Sequence, residues 1–256
     1  MTPFVYACAA LFGLMAGSFL NVVIYRVPRR LSVVRPRSFC PRCRAKISWY
    51  ENVPVASYVA LRGRCRGCGE RIALRYPLVE AAGAALALAA VYRFGPGVDA
   101  AFAYAFLMAL TAITLIDWDF RIIPDGLSIP FIVVGLGWSL VNPGLTLASS
   151  ALGALAGGGS LYAIGALYKL VRKTEGMGGG DVKLMAMIGA FLGIKLIGPV
   201  ILIASFAGTL YAVALLKSGK DAKTAVAFGS FLAPAAAVCL FFGERLLDWY
   251  FTGFRW

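Results

Sequence analysis

The chain contains no histidine. That absence removes the Ser-His and Cys-His nucleophile pairs of hydrolases and the H-E-x-x-H site of zinc proteases. There is also no G-x-S-x-G elbow and no G-x-x-x-x-G-K-[ST] phosphate loop. No serine and lysine fall together in a way that makes a Ser–Lys dyad. Charge is scarce too: only 14% of the residues are Asp, Glu, Lys or Arg, 60% are hydrophobic, and the mean hydropathy is +0.79. A soluble domain of 256 residues needs far more polar surface. Acidic residues are the rarer charged class, 12 against 25 basic ones, so an aspartate beside an apolar run stands out.

What is present is a series of apolar runs near the ~20 residues that cross a bilayer as a helix. They cover residues 4–24, 77–92, 98–116, 127–141, 146–170, 182–194, 196–216 and 225–246. The expected fold is an all-α polytopic membrane protein with about eight transmembrane helices. Run 182–194 is short and is expected to tilt, to break at Gly193 or to be buried partly in protein. The formal charge of +13 raises nucleic acid or anionic lipid as partners, and its distribution favours lipid. Between Arg26 and Arg75 stand thirteen Lys/Arg against Glu51 and Glu70. The positive-inside rule makes that segment cytoplasmic. Threading the spans from there puts 21 of the 25 basic residues on the same side, among them Lys183, Lys220 and Lys223, and leaves Arg93, Lys195, Arg245 and Arg255 across the membrane. The first span lacks a basic start and a small-residue cleavage site, so it is expected to be retained.

Three parts follow: a first transmembrane helix (1–25), a cytoplasmic four-cysteine insert (26–76) and a transmembrane bundle (77–256). Small-xxx-small steps at Gly13–Gly17, Gly153–Gly157 and Gly189–Gly193 are places for close helix packing. Gly157-Gly158-Gly159 is expected to loosen the fifth span, and no internal repeat is evident. In the insert, Cys40-Pro41-Arg42-Cys43 and Cys65-Arg66-Gly67-Cys68 form two C-x2-C knuckles, the spacing of a tetrahedral four-thiolate zinc site. Disulfides or free thiols are the alternatives, and a reducing cytoplasm disfavours the former. An insert with few aliphatic residues would draw much of its folding free energy from the metal. Cys8 and Cys239 lie in apolar spans, where they are expected to serve as small buried hydrophobes.

Two aspartates, Asp117 and Asp181, lie where apolar runs meet polar sequence. A carboxylate at membrane depth is expensive unless it faces protein or water. Asp117 ends the third span in Leu115-Ile116-Asp117-Trp118-Asp119-Phe120-Arg121-Ile122-Ile123-Pro124-Asp125. Asp119 is the reserve for its role, and Asp125 is placed to cap the next helix. Asp181 follows Gly176-Met177-Gly178-Gly179-Gly180, glycines that permit positive φ and close backbone approach. Both fall on the cytoplasmic side of the threaded topology. Two neighbouring carboxyls that share a proton supply one base and one acid, the requirement for hydrolysing a peptide bond. Glu80, near the cytoplasmic end of the second span, either pairs locally, for instance with Arg75, or meets substrate.

Gly178-Gly179-Gly180-Asp181 resembles the G-x-G-D signature of intramembrane aspartyl proteases, in the form found in bacterial type IV prepilin peptidases. The block Gly17-Ser18-Phe19-Leu20-Asn21 through Arg26-Val27-Pro28, the two knuckles, Glu51-Asn52-Val53-Pro54 and Arg75-Tyr76-Pro77-Leu78-Val79-Glu80 are similar to that family's other blocks. Ala227-Phe228-Gly229-Ser230-Phe231 departs from its P-F-G-P-F pattern, and Glu51 stands where many members have aspartate. The resemblance implies a bacterial inner-membrane enzyme with catalytic Asp117 and Asp181, acting on prepilin and pseudopilin substrates at the cytoplasmic face. It further implies N-methylation of the new amino terminus, usually phenylalanine, from S-adenosylmethionine, associated with the cysteine insert. No nucleotide loop marks a site for that donor. The competing readings are a protease alone, with zinc serving structure, and a membrane scaffold or transporter whose aspartates bind cations.

Overall fold

The computed structural model describes residues 2–174, 178–218 and 227–253. Gly176 and Met177 of the glycine string, Lys220, Lys223 and Arg255 of the charge count, and the first two residues of the expected span 225–246 lie outside them. Every regular element among the described residues is helical: α1 (Pro3–Arg26), α2 (Ala56–Ala60), α3 (Arg75–Phe94), α4 (Val98–Phe120), α5 (Asp125–Trp138), α6 (Leu147–Arg172), α7 (Gly179–Leu192), α8 (Ile197–Lys217) and α9 (Gly229–Gly253), with short 3-10 turns between some of them. Each expected span falls on one of these helices, α2 alone standing apart. Six are long and apolar enough to cross a membrane, while α5 and α7 have 14 residues each. The chain forms two compact units, residues 1–108 and 109–256.

In the first unit, α1 and α3 pack backbone to backbone because glycine lines the seam. A Cβ at Gly13 would stand 2.6 Å from the Gly83 carbonyl oxygen, and one at Gly17 2.7 Å from Glu80 Cα. No larger residue fits there, which is the close approach that small residues allow in lipid. The opposite face of α1 leaves Phe4, Leu11, Phe12, Met15 and Phe19 exposed. At its end Arg26 is buried, and its guanidinium donates to the carbonyls of Ser32 and Pro36 at 2.8 Å, tying the insert to the helix. The Glu80 carboxylate accepts from the Val55 N–H at 2.8 Å, so its partner is the start of α2. Val55 has φ +59, a left-handed conformation that a β-branched residue adopts only under local constraint, and Glu80 supplies one.

The two knuckles are the same turn built twice. Cys40 N–H donates to Ala45 O and Arg44 N–H to Cys40 O; twenty-five residues on, Cys65 N–H donates to Glu70 O and Gly69 N–H to Cys65 O. Arg44 and Gly69 both take positive φ, +58 and +70. Single bridges, Phe39 with Lys46 and Arg64 with Arg71, close each turn, and Arg42 pairs with Glu70 across them. This local duplication is invisible in the residue types beyond the cysteines themselves.

In the second unit, α7 is the buried centre. Leu184, Met185, Met187, Ile188 and Ala190 expose nothing, with α5, α6 and α9 packed around them. A helix surrounded by protein need not match the bilayer thickness, which accounts for its length. It stops at Gly193, whose φ of +72 turns the chain toward α8, as the sequence leads one to expect. Gly153 and Gly189 sit so close that a Cβ on Gly189 would overlap the Gly153 carbonyl. The expected loosening at Gly157-Gly158-Gly159 does not occur: α6 runs unbroken for 26 residues, with Gly157 and Gly158 spent on contact with α7.

Candidate functional site

Asp117 lies in the last turn of α4, buried at 5% exposure. The helix stops just beyond it, where Arg121 at φ +56 returns its N–H to the Asp117 carbonyl, and Pro124 precedes α5. The Asp117 Oδ2 accepts the Ser230 N–H at 2.8 Å and is 3.1 Å from the Ser230 hydroxyl. Asp181 stands in the first turn of α7, half-buried, near enough to Asp117 for the two charges to interact, with the backbone N–H groups of Gly178 and Gly229 in its surroundings. Successive residues at the start of α9 therefore face the two acids, and Ser230 binds Asp117 directly. The first N–H groups of a helix have no partner within it and carry the positive end of its dipole, so carboxylates are favoured there.

Ile123, in the turn after α4, wedges this arrangement. A Cβ at Gly180 would stand 2.9 Å from Ile123 Cβ, and one at Gly229 would stand 2.7 Å from Ile123 Cδ1 and 2.9 Å from Asp117 Oδ2. The glycines serve by lacking volume. Gly178 has φ −75, and neither Gly179 nor Gly180 is among the positive-φ residues, so the conformational freedom expected of this string is not what these three supply.

Asp119 is exposed at the end of α4, where Asp117 is buried. Asp125 does not cap α5: Pro124 holds the cap position, and Asp125 enters the first turn with both oxygens 2.8 Å from Lys183 Nζ. Both groups are about half exposed, so the pair contributes at most ~1 kcal/mol. Ser230, Gly229 and Ile123 escaped the sequence reading as site residues. The one signal, for Ser230, was the departure from the proline-flanked pattern at that position.

The second cluster is in the insert. Cys40, Cys43, Cys65 and Cys68 carry free thiols, and their sulfurs all lie within 4.8 Å of one another. Four sulfurs bound tetrahedrally to zinc at about 2.3 Å would stand about 3.8 Å apart. Cys43 and Cys65 are at 4.0 Å. The Cys43 N–H aimed at its sulfur draws the Cys40 thiol down to about 7. The cluster can hold a tetrahedral ion with little movement. Beside it, a groove of about 670 Å³ opens between α1 and the insert, lined by Phe19, Val22, Arg26, Trp49, Tyr50 and Asn52 among others.

The apolar helices make the chain a multi-pass membrane protein. Residues 11–94 match the bacterial peptidase A24 N-terminal domain, and residues 104–213 match the type IV leader peptidase family. The chain belongs to that family. It is 40% identical over 263 residues to the prepilin leader peptidase/N-methyltransferase of Burkholderia pseudomallei, covering 93% of this chain and 85% of that protein. Proteins of the same name from Aeromonas hydrophila and Pseudomonas aeruginosa are 36% and 35% identical, covering 98% and 97% of this chain and 96% and 94% of theirs. No solved structure is a significant match.

Proposed function

We propose that this chain is an aspartic-type prepilin leader peptidase that also N-methylates the amino terminus it creates. The observation that carries the peptidase half is the convergence of Asp117 and Asp181 on the first turn of α9. One carboxylate takes a proton from water as the oxygen attacks the scissile carbonyl carbon. The other, protonated, donates to the carbonyl oxygen and relieves its developing charge; collapse of the tetrahedral adduct breaks the C–N bond, with the amine leaving protonated. The thirteen basic residues of the insert support a topology with both acids at the cytoplasmic face of the inner membrane, on the side of the basic leaders of prepilins and pseudopilins. The insert's own charge disfavours attraction to such a leader, so the substrate's apolar helix and anionic lipid hold it in place.

For methyl transfer the groove beside the insert is the fitting place. Its ~670 Å³ is in the range of small-molecule sites. The rings of Trp49 and Tyr50 suit a sulfonium, and Ser38, Ser48 and Asn52 offer hydrogen bonds. S-adenosylmethionine would supply the methyl group, and zinc on Cys40, Cys43, Cys65 and Cys68 would hold the insert in shape. The test is cleavage of a prepilin by the purified enzyme, read by intact mass. Asp117→Asn and Asp181→Asn should each abolish leader removal in folded protein, while Asp119→Asn should retain it. Full cleavage by either of the first two would refute the pair.

A further inference from the structure

Asp117 and Asp181 are alike in chemistry, yet hydrolysis needs them in different protonation states. Ser230 treats them differently. Its N–H and its hydroxyl converge on one oxygen of Asp117, Oδ2, at 2.8 and 3.1 Å, and Ser230 is itself 5% exposed. Among the described residues no hydroxyl is directed at Asp181, whose polar surroundings are the backbone N–H groups of Gly178 and Gly229. The geometry points to Ser230 as the positioning residue that keeps Asp117 as the carboxylate, with Oδ1 free to take the proton of the attacking water, and so leaves the shared proton on Asp181. This rests on the aspartate pair proposed above.

The hydroxyl has one hydrogen and two acceptors, Asp117 Oδ2 and the Thr114 carbonyl at 3.2 Å. A charged acceptor makes the stronger bond, so the hydrogen goes to Asp117 while that group is ionised. Once Asp117 has taken a proton, the hydroxyl can turn to Thr114. It is a donor that lets go when the charge is gone. The charged group interacting with Asp117 is Asp181 from α7; α9 brings only N–H groups and this hydroxyl, and Lys183 of α7 is engaged by Asp125 of α5. The position is also where this chain departs from the family's P-F-G-P-F pattern: proline at 230 would have neither the N–H nor the hydroxyl. The device belongs to this chain's version of the motif.

The test is a graded series at one position. Ser230→Thr keeps both donors, Ser230→Ala keeps the N–H, and Ser230→Pro keeps neither while remaining compatible with the first turn of a helix. Prepilin cleavage should show kcat near wild type for threonine, about tenfold lower for alanine, and at least another tenfold lower for proline. KM and the thermal midpoint should stay within error for all three. Asp117→Asn is run alongside. An inactive Asp117→Asn with a fully active Ser230→Ala or Ser230→Pro overturns the role of Ser230 alone. Failure of threonine to rescue, or kcat loss that tracks the thermal midpoint, overturns it as well. An active Asp117→Asn overturns the aspartate pair and this inference with it.

Discussion

Gly180→Ala isolates what the glycine signature contributes. The added Cβ would stand 2.9 Å from Ile123 Cβ and 3.5 Å from its Cγ1 and Cδ1. Carbon atoms rest at about 3.5 Å or more, so the two must part by about half an ångström. Ile123 Cβ is fixed to the backbone of a short turn and cannot rotate away. The first turn of α7 must move, and Asp181 moves with it, away from the start of α9. Overpacking of this kind costs about 1–3 kcal/mol. A displacement of ~1 Å can cost a hundredfold in rate, so half that should lower kcat about tenfold. Gly179→Ala is the control: nothing lies within 4 Å of its Cβ position, and it sits at the start of a helix. Alanine there should leave cleavage within about twofold and add up to ~1 kcal/mol of stability. Both variants are assayed for prepilin cleavage by mass and for thermal unfolding in the same detergent. Wild-type rates from Gly180→Ala, or an equal loss from Gly179→Ala, would refute the steric argument.

Protein purified under reducing conditions should contain one zinc per chain by metal analysis, and a strong chelator should open the insert to proteolysis while α4 to α9 stay protected; four cysteines found in disulfides would contradict this. Methyl transfer should be separable from cleavage, since it needs an unprotonated amine and no shared-proton acids. Asp181→Asn should therefore still methylate a pilin supplied already cleaved, and a folded variant that transfers nothing would show that the two activities share a site.

The sequence made the helices legible because lipid demands long apolar runs: each of the eight expected spans falls on a helix, and the break at Gly193 was visible as glycine after an apolar stretch. The four cysteines were equally plain, since C-x2-C spacing carries its own geometry. What could not be read was anything decided by a distant neighbour. Asp125 looked like a cap because of the proline before it, but Lys183, 58 residues away, takes its carboxylate. The glycines before Asp181 suggested both unusual dihedrals and close approach; the approach is made at Gly180, where Ile123 from another element leaves no room for a Cβ. Ser230 looked like a worn motif, and only the fold puts it on Asp117, 113 residues earlier in the chain.

Synthesis of this protein runs from its amino end, and the order in which parts emerge is informative. Asp117 and Asp181 belong to α4 and α7, but the N–H groups that face them from α9 arrive only at Gly229 and Ser230. A nascent chain that has reached Ser218 carries both acids and lacks their anchor. The cutting centre would therefore be finished only when α9 enters the membrane, and chains that end before it would be harmless to the proteins around them.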